Sequence, residues 1–272
     1  KKEGIRTFIR FDGVYMDSKV YVNGTLAGEW KYGYSAFMFD ITDLVKNGEN
    51  VVTVRVDHHA PNSRWYSGAG IFRKVWLCES PEIRFGNDGI YITTSKDEDG
   101  WQVTVKAEML RPVGTPLGGI RIRNTILDKD GKETASYESD ACGADISCIP
   151  EAVRVKGVSY SLTEQNMTVK DPELWDIASP VLYTMVSEIL VDGGCVQRVS
   201  QKFGFRTIKF KCDSGFYLNG RHVKLHGSCE HHDNGCLGAV SNPAAIRRRF
   251  KKLRKMGINA IRTSHNMPAE EF

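Results

Sequence analysis

The sequence has no apolar stretch approaching the ~20 residues that a membrane-spanning helix needs. It also lacks a strong excess of one charge, because 37 Lys and Arg stand against 33 Asp and Glu, for a net charge of +4. The absence of a long apolar run argues against membrane insertion. The near balance of charges argues against a nucleic-acid partner. The one dense basic run, at residues 247–255, lies on a predicted helix and favours a solvated helix face over a nucleic-acid patch. The chain opens without Met, so we expect its true N-terminus to be missing.

The seven cysteines follow neither a metal-binding spacing nor that of a small disulfide scaffold. Their number is odd, and no C-x-x-C pair occurs. We therefore interpret most of them as buried or incidental thiols. A local bridge between Cys142 and Cys148 and a catalytic role for Cys229, which precedes two histidines, are the alternatives.

Short alternating strands are the pattern of the first two hundred residues. Val52, Val54 and Val56 alternate with polar residues, as in a half-buried strand. Asn23-Gly24 is typical of a tight hairpin turn, and similar turn signals recur between residues 82 and 207 without a convincing helix. The patterns predict two β-sandwiches that meet near Pro81.

After Phe210 the pattern changes from strands alone to strand, helix and strand. Asn242-Pro243 is a cap followed by a first-turn proline, and Gly257 ends the predicted helix. Its apolar stripe consists of Ile246, Phe250, Leu253 and Met256. The short apolar run at residues 258–263 completes a βαβ unit, which leaves open sheet edges and so predicts the opening of a larger barrel.

Four groups of segments, in order along the chain, carry a resemblance to a known family. They are residues 11–17 with 20–24, residues 62–73, residues 171–175 with 180–183 and 203–206, and residues 219–233 with 261–266. Together they resemble family 2 glycoside hydrolases of the β-galactosidase type. The resemblance implies a mostly β fold with a jelly-roll sugar-binding domain at 1–80, its N-terminal part missing. An immunoglobulin-like β-sandwich at 81–208 and the first βαβ of a truncated (β/α)8 barrel at 209–272 would follow.

Two histidines follow successive predicted barrel strands, where barrel enzymes assemble their sites. His265 could donate a hydrogen bond to a sugar hydroxyl, or it could be a structural histidine; the resemblance favours sugar contact. The resemblance likewise implies that His231 helps to bind the sugar. Because both strands end on the same face of a barrel, we expect the two rings to lie within about one sugar length of each other.

Several neighbours of these histidines are further substrate-binding candidates. The resemblance places Arg262 close to the catalytic nucleophile, where a guanidinium would keep a carboxylate ionised; an ordinary salt bridge is the alternative. Asn266 and Asp233 join the predicted sugar site. A metal site at His231-His232-Asp233 is disfavoured, because adjacent side chains of an extended segment point apart.

Arg64 and Trp65 lie in a loop rich in small residues. An aromatic face can stack on a sugar ring, and arginine can bind its hydroxyls. The resemblance implies that this loop reaches the rim of the active site, and packing is the alternative for both side chains.

The chemistry of a retaining glycosidase needs two carboxyl groups about 5–5.5 Å apart. The resemblance places both catalytic glutamates beyond Phe272, so we predict no catalytic residue in this fragment and no activity of its own. The parent would cleave terminal β-linked sugars; the resemblance favours galactosides, with glucuronides or mannosides as alternatives. A non-catalytic carbohydrate-binding β-sandwich protein is the alternative from another class.

The remaining expectations concern the parent protein. We expect a β-linked oligosaccharide or galactoside as partner and, where the subunits assemble, a homo-oligomer. We expect no cofactor other than a structural Na⁺ or Mg²⁺ ion in the full-length parent. For a bacterial parent, a periplasmic or secreted location is favoured over a cytoplasmic one.

Overall fold

The computed structural model describes residues 2–62, 68–144 and 155–272. The chain divides into two compact units, one made of Lys1–Ser80 with Leu225–Phe272 and the other of Pro81–Lys224. The α-helix of the described part has 13 residues and is rich in Arg and Lys, and no described helix has the length and apolar character to cross a membrane. The predicted mostly β fold is confirmed. The domain boundaries drawn from the sequence stay predictions.

The first unit opens with a β-sandwich. Its strands are β1 (Ile5–Phe11), β2 (Val14–Tyr15), β3 (Ser18–Val22), β4 (Thr25–Trp30), β5 (Phe37–Asp40), β6 (Val52–Val56), β7 (Gly70–Ile71) and β8 (Val75–Pro81). One sheet has the order β5-β1-β8, another has the order β4-β3-β6, and β2 pairs with β7. Phe11 and Phe37 of the first sheet pack with Val20 and Val22 of the second to form the core.

The hairpin between β3 and β4 shows why the sequence folds this way locally. Asn23 and Gly24 have φ angles of 52° and 85°. Both are residues that tolerate positive φ, and such a turn matches the twist of the flanking strands. The predicted hairpin is therefore confirmed.

The described residues of the second unit form ten strands. They are β9 (Arg84–Lys96), β10 (Trp101–Pro112), β11 (Ile120–Leu127), β12 (Glu133–Asp140), β13 (Val158–Val169), β14 (Tyr183–Val191), β15 (Gly194–Phe203), β16 (Ile208–Lys211), β17 (Gly215–Leu218) and β18 (Arg221–His222). Two sheets, β13-β10-β9 and β12-β11-β14-β15, enclose a core in which Val103, Val105, Ile122 and Ile189 are fully buried. Strands β16–β18 form a separate small sheet.

The chain returns to the first unit with a strand, a helix and a strand. These are β19 (Gly227–Glu230), α1 (Pro243–Lys255) and β20 (Ala260–Thr263), and β19 and β20 pair in parallel. Asn242 caps the helix by accepting hydrogen bonds from the amides of Ala244 and Ala245. The predicted βαβ unit is confirmed, and it places the carboxyl ends of both strands at one edge.

The described cysteines are all free. Cys78, Cys142, Cys195, Cys212, Cys229 and Cys236 belong to this set. Cys148 lies outside the described residues, so the alternative of a bridge to Cys142 stays untested.

Candidate functional site

The carboxyl ends of β19 and β20 bring the two predicted sugar-binding histidines together. Glu230 and Thr263, the last residues of the strands, are partners in the parallel register. His231 follows the first strand directly, and His265 comes two residues after the second. Their ring centres lie 5.8 Å apart, with the rings tilted by 67°. The expected proximity of the two rings is found, and their role in sugar binding stays a prediction.

His265 adopts an unusual backbone conformation. Its φ of 68° lies in the left-handed region, which few residues other than glycine occupy. The chain turns at this position, and the His265 side chain is exposed while Ser264 and Asn266 on either side are buried. Such backbone strain persists only where the surroundings hold it, as they do at many functional sites.

The other predicted site residues differ in their surroundings. The buried Asn266 amide oxygen accepts a hydrogen bond from Tyr32 Oη at 3.5 Å, so this side chain is tied to the sandwich. Asp233 is exposed beyond β19. Arg262 is exposed on β20, with Nη1 3.7 Å from Cys229 Sγ on β19. Arg64 and Trp65 lie outside the described residues.

Glu230 faces the helix and is engaged in an ion pair. Its carboxylate is buried and lies 3.1 Å from Nη1 of Arg249 on α1. Arg249 also donates to the carbonyl of Asp233 at 2.7 Å and to that of His231 at 3.4 Å. The helix therefore orders the segment that carries His231.

Arg249 corrects one sequence expectation. The basic run was predicted to be a solvated helix face, which holds for exposed members such as Arg248. It is wrong for Arg249, which is half-buried because its guanidinium reaches Glu230 and the loop after β19. Its position in a run of like residues gave no signal of this separate role.

Arg73 of the sandwich contacts both of the loops that follow the barrel strands. Nη1 donates to the carbonyls of Asp12 (3.2 Å) and Tyr34 (2.9 Å), and Nη2 donates to the carbonyl of Met267 (2.9 Å). Nη2 also lies 3.4 Å from Nδ1 of His232. Sequence reasoning gave Arg73 no role, although it ends a segment that carried the family resemblance.

His232 differs electrostatically from an ordinary histidine. Burial and then the nearby charge of Arg73 lower the pKa of His232 to about 4. Its ring packs against the ring of Tyr34 with centres 5.0 Å apart. The imidazole is therefore neutral near pH 7, and an Arg73 N–H that donates to Nδ1 requires that nitrogen to be unprotonated.

The acidic residues near the end of the chain are also paired. Glu270 accepts from Arg10 Nη2 at 3.1 Å, and Glu271 pairs with Lys74 and accepts from Ser241 Oγ. Burial alone would raise the pKa of Glu271, but the hydrogen bonds of Lys74 and Ser241 outweigh it and lower that pKa. Glu271 is thus an ionised partner rather than a proton donor.

A metal centre finds no support in residues 2–62, 68–144 and 155–272. Within them no group of three or more His, Cys, Asp or Glu side chains is placed to hold an ion. That a metal at His231-His232-Asp233 is disfavoured stays a prediction.

Comparison with protein families gives three consecutive matches. The sugar binding domain of the glycosyl hydrolases family 2 matches residues 2–81. The model described as glycosyl hydrolases family 2 matches residues 87–206, and the TIM barrel domain of the same family matches residues 209–272.

Relatives of known name cover nearly all of the chain. It is 42% identical to the beta-galactosidase BoGH2A of Bacteroides ovatus, over 97% of this chain and 30% of that protein. It is 36% identical to a putative beta-glucuronidase of Formosa agariphila, over 98% of this chain and 24% of that protein. The chain thus spans less than a third of the length of either relative.

Solved structures show the same arrangement of strands and helix. A glycosyl hydrolase family 2 member from Bacteroides cellulosilyticus DSM 14838 superposes with a TM-score of 0.86 at 33% identity, over 99% of this chain and 36% of that one. A beta-glycosidase from Bacteroides vulgatus gives a TM-score of 0.84 at 29% identity, over 99% of this chain and 32% of that one.

Proposed function

The chain belongs to family 2 of the glycosyl hydrolases, and on that premise we propose that it forms the amino-terminal part of a retaining β-glycosidase. It would supply sugar-binding residues to an active site whose catalytic carboxylates are supplied from elsewhere in the enzyme. The three family matches in their order support this proposal, as does the βαβ unit that a purely adhesive β-sandwich protein would not need.

The observation that carries the proposal is the His231–His265 pair. Its ring centres, 5.8 Å apart, lie at the carboxyl ends of two parallel strands, where barrel enzymes bind substrate. Two imidazoles at that separation can each reach a different hydroxyl of one sugar ring. Asn266, Asp233 and Arg262 would extend the site, with Arg262 beside the nucleophile of the complete barrel.

We propose that the substrate is a terminal β-galactoside. Support comes from the 42% identity to a protein named beta-galactosidase, over nearly the full chain. A β-glucuronide is the second candidate, because the 36% identical relative and a 30% identical one from Bacteroides fragilis are named for glucuronides. Both substrates use the same retaining chemistry and differ at C4 and C6 of the sugar.

The chain alone should be inactive. The glutamates that flank the two histidines in the sequence are engaged in ion pairs: Glu230 with Arg249, Glu270 with Arg10 and Glu271 with Lys74. A retaining mechanism needs one carboxylate free to attack and a second to donate a proton. We therefore expect no hydrolysis of a chromogenic β-galactoside above background by the purified chain. Turnover that survives repurification and is lost on Glu230→Gln would contradict the assignment of Glu230 to the helix.

The test of the function uses the complete enzyme with nitrophenyl β-galactoside, β-glucuronide and β-mannoside. We expect the highest kcat/KM for the galactoside. His265→Phe should lower kcat/KM by about tenfold or more, as loss of a hydrogen bond strengthened in the transition state does. A higher kcat/KM for the glucuronide would support the β-glucuronide as the substrate instead. Unchanged kinetics of His265→Phe would contradict a role of His265 in sugar binding.

A further inference from the structure

Arg73 is a buried charge, and among residues 2–62, 68–144 and 155–272 no carboxylate accepts a hydrogen bond from it. Its side chain is only 8% exposed, and burial lowers its pKa. Instead of an acid, three backbone carbonyls accept its N–H groups, those of Asp12, Tyr34 and Met267. Burying a guanidinium is costly unless its donors are satisfied, so this site is built around the arginine.

The three carbonyls belong to different parts of the first unit. Asp12 and Tyr34 are sandwich residues, and they fix one side of the guanidinium. Met267 lies two residues after His265, in the loop that follows β20. Through this one side chain, the sandwich holds the backbone next to His265, a proposed sugar-binding residue.

The same guanidinium approaches the loop that follows β19. Nη2 lies 3.4 Å from Nδ1 of His232, the residue next to His231. Tyr34 packs on the same imidazole, so His232 is held from the sandwich by a ring contact as well. Both loops that carry the proposed sugar-binding histidines are thus attached to one arginine.

We propose that Arg73 is a positioning residue that sets the separation and orientation of His231 and His265 from the sugar-binding domain. The inference rests on the proposed function, since it assigns Arg73 a role through those histidines. Through Arg73, the sugar-binding domain would influence catalysis without contacting the substrate. The geometry of the barrel site would then depend on the folding of the sugar-binding domain.

The shape of the guanidinium explains why arginine stands here. Its planar fork directs two nitrogens at once, with Nη1 toward the sandwich and Nη2 toward the barrel loops. A lysine would carry the charge but only as a single donor centre, which cannot bridge both sides with the same geometry. Arg73→Lys should therefore fold and yet loosen the site.

The test is a double-mutant cycle in the complete enzyme with a nitrophenyl β-galactoside. Arg73→Met alone should lower kcat/KM by about 10- to 100-fold, as expected for a small displacement of binding groups. In the His265→Phe background the same change should cost less than it does alone, because one of the two histidines that Arg73 positions is already removed. Arg73→Lys, which retains the charge, supplies a second cycle if Arg73→Met does not fold.

The control is Arg6→Met, which removes an arginine of the same sandwich that pairs with Asp40. It should lower the melting temperature and leave kcat/KM unchanged. Full additivity of Arg73→Lys or Arg73→Met with His265→Phe would overturn the inference, as would unchanged kinetics of Arg73→Met and Arg73→Lys on their own. If His265→Phe alone had no effect, the proposed function would fail instead, so the two failures are distinguishable.

Discussion

At the scale of single residues, the electrostatics around His232 separate this imidazole from the exposed His265. Burial disfavours the charged ring, and the Arg73 guanidinium adds a like charge, so the pKa of His232 falls to about 4. A neutral His232 can accept a hydrogen bond from Arg73, and a protonated one would repel it. The neutral state is therefore part of the packing between the sandwich and the barrel loops.

His232 should make the stability of the chain depend on pH between about 4 and 6.5. In that window His232 is protonated in the unfolded chain and neutral in the folded chain. The free energy of unfolding therefore falls as pH falls. Below about pH 4 both states are protonated, and the change ends. Urea unfolding at several pH values tests this, with His232→Gln as the variant that should flatten part of the slope. An unchanged slope in that variant would contradict the lowered pKa.

The sequence pointed to some residues of the candidate site and not to others. His231 and His265 became candidates because each follows a predicted barrel strand, where sites assemble, and because the family resemblance implies sugar contact at both positions. Arg73, Tyr34 and Arg249 were missed, because their roles depend on contacts between segments far apart in the chain. A buried arginine and a solvated one look alike in a sequence.

At the scale of elements, helix α1 depends on its cap. Asn242 Oδ1 accepts from the amides of Ala244 and Ala245 at 3.0 and 3.1 Å, satisfying donors that the first turn leaves without helical partners. Pro243 adds a preset φ at the first position. These features were readable in the sequence because capping is local.

Asn242→Ala should destabilise the helix by about 1 kcal/mol, the usual cost of losing such a cap. Hydrogen exchange of the α1 amides measures this loss. These amides should exchange faster in Asn242→Ala by the factor that a loss of about 1 kcal/mol in helix stability corresponds to. Asn242→Asp is the matched control, since it keeps the acceptor oxygen and suits the helix dipole. Equal exchange in the alanine and aspartate variants would contradict the capping role.

The interior of the second sandwich should respond to truncation of a buried side chain. Ile122 is fully buried between its two sheets, so Ile122→Ala should cost about 2–5 kcal/mol in the unfolding of that unit. Val196 on β15 is 40% exposed, and Val196→Ala should change little. Urea denaturation of both variants tests the difference, and equal losses would contradict the core assignment.

At the scale of the whole chain, the strands are supported to different degrees. Strands β10 and β11 lie inside sheets of three and four strands over a shared core, whereas β19 and β20 form a sheet of two. A two-stranded parallel sheet leaves backbone groups at its edges without sheet partners. Local opening should therefore be easiest in the βαβ unit.

Hydrogen exchange of the purified chain should show this order. Amides in β10 and β11 should exchange more slowly than those in β20 and α1. Slower exchange in residues 240–272 than in the second sandwich would contradict it and would indicate that the segment is covered by another copy or packed more tightly than this structure shows.

The general architecture was predictable because strand alternation, hairpin signals and helix caps are local, and their order gave two sandwiches followed by a βαβ unit. The attachment of the barrel loops to the first sandwich was not predictable. It depends on contacts between residues more than 190 positions apart in the chain. The Tyr32–Asn266 and Arg73–Met267 hydrogen bonds are two such contacts. No local pattern encodes such a meeting.

The most direct measurement is a crystal structure of the complete enzyme with a galactose-derived inhibitor of retaining glycosidases bound. We expect His231 and His265 each to place a ring nitrogen within about 3.2 Å of a sugar hydroxyl, the reach of a hydrogen bond. Arg73 should retain its hydrogen bond to the Met267 carbonyl. A sugar bound at a different face, with both imidazoles beyond hydrogen-bonding reach, would contradict the assignment of this site.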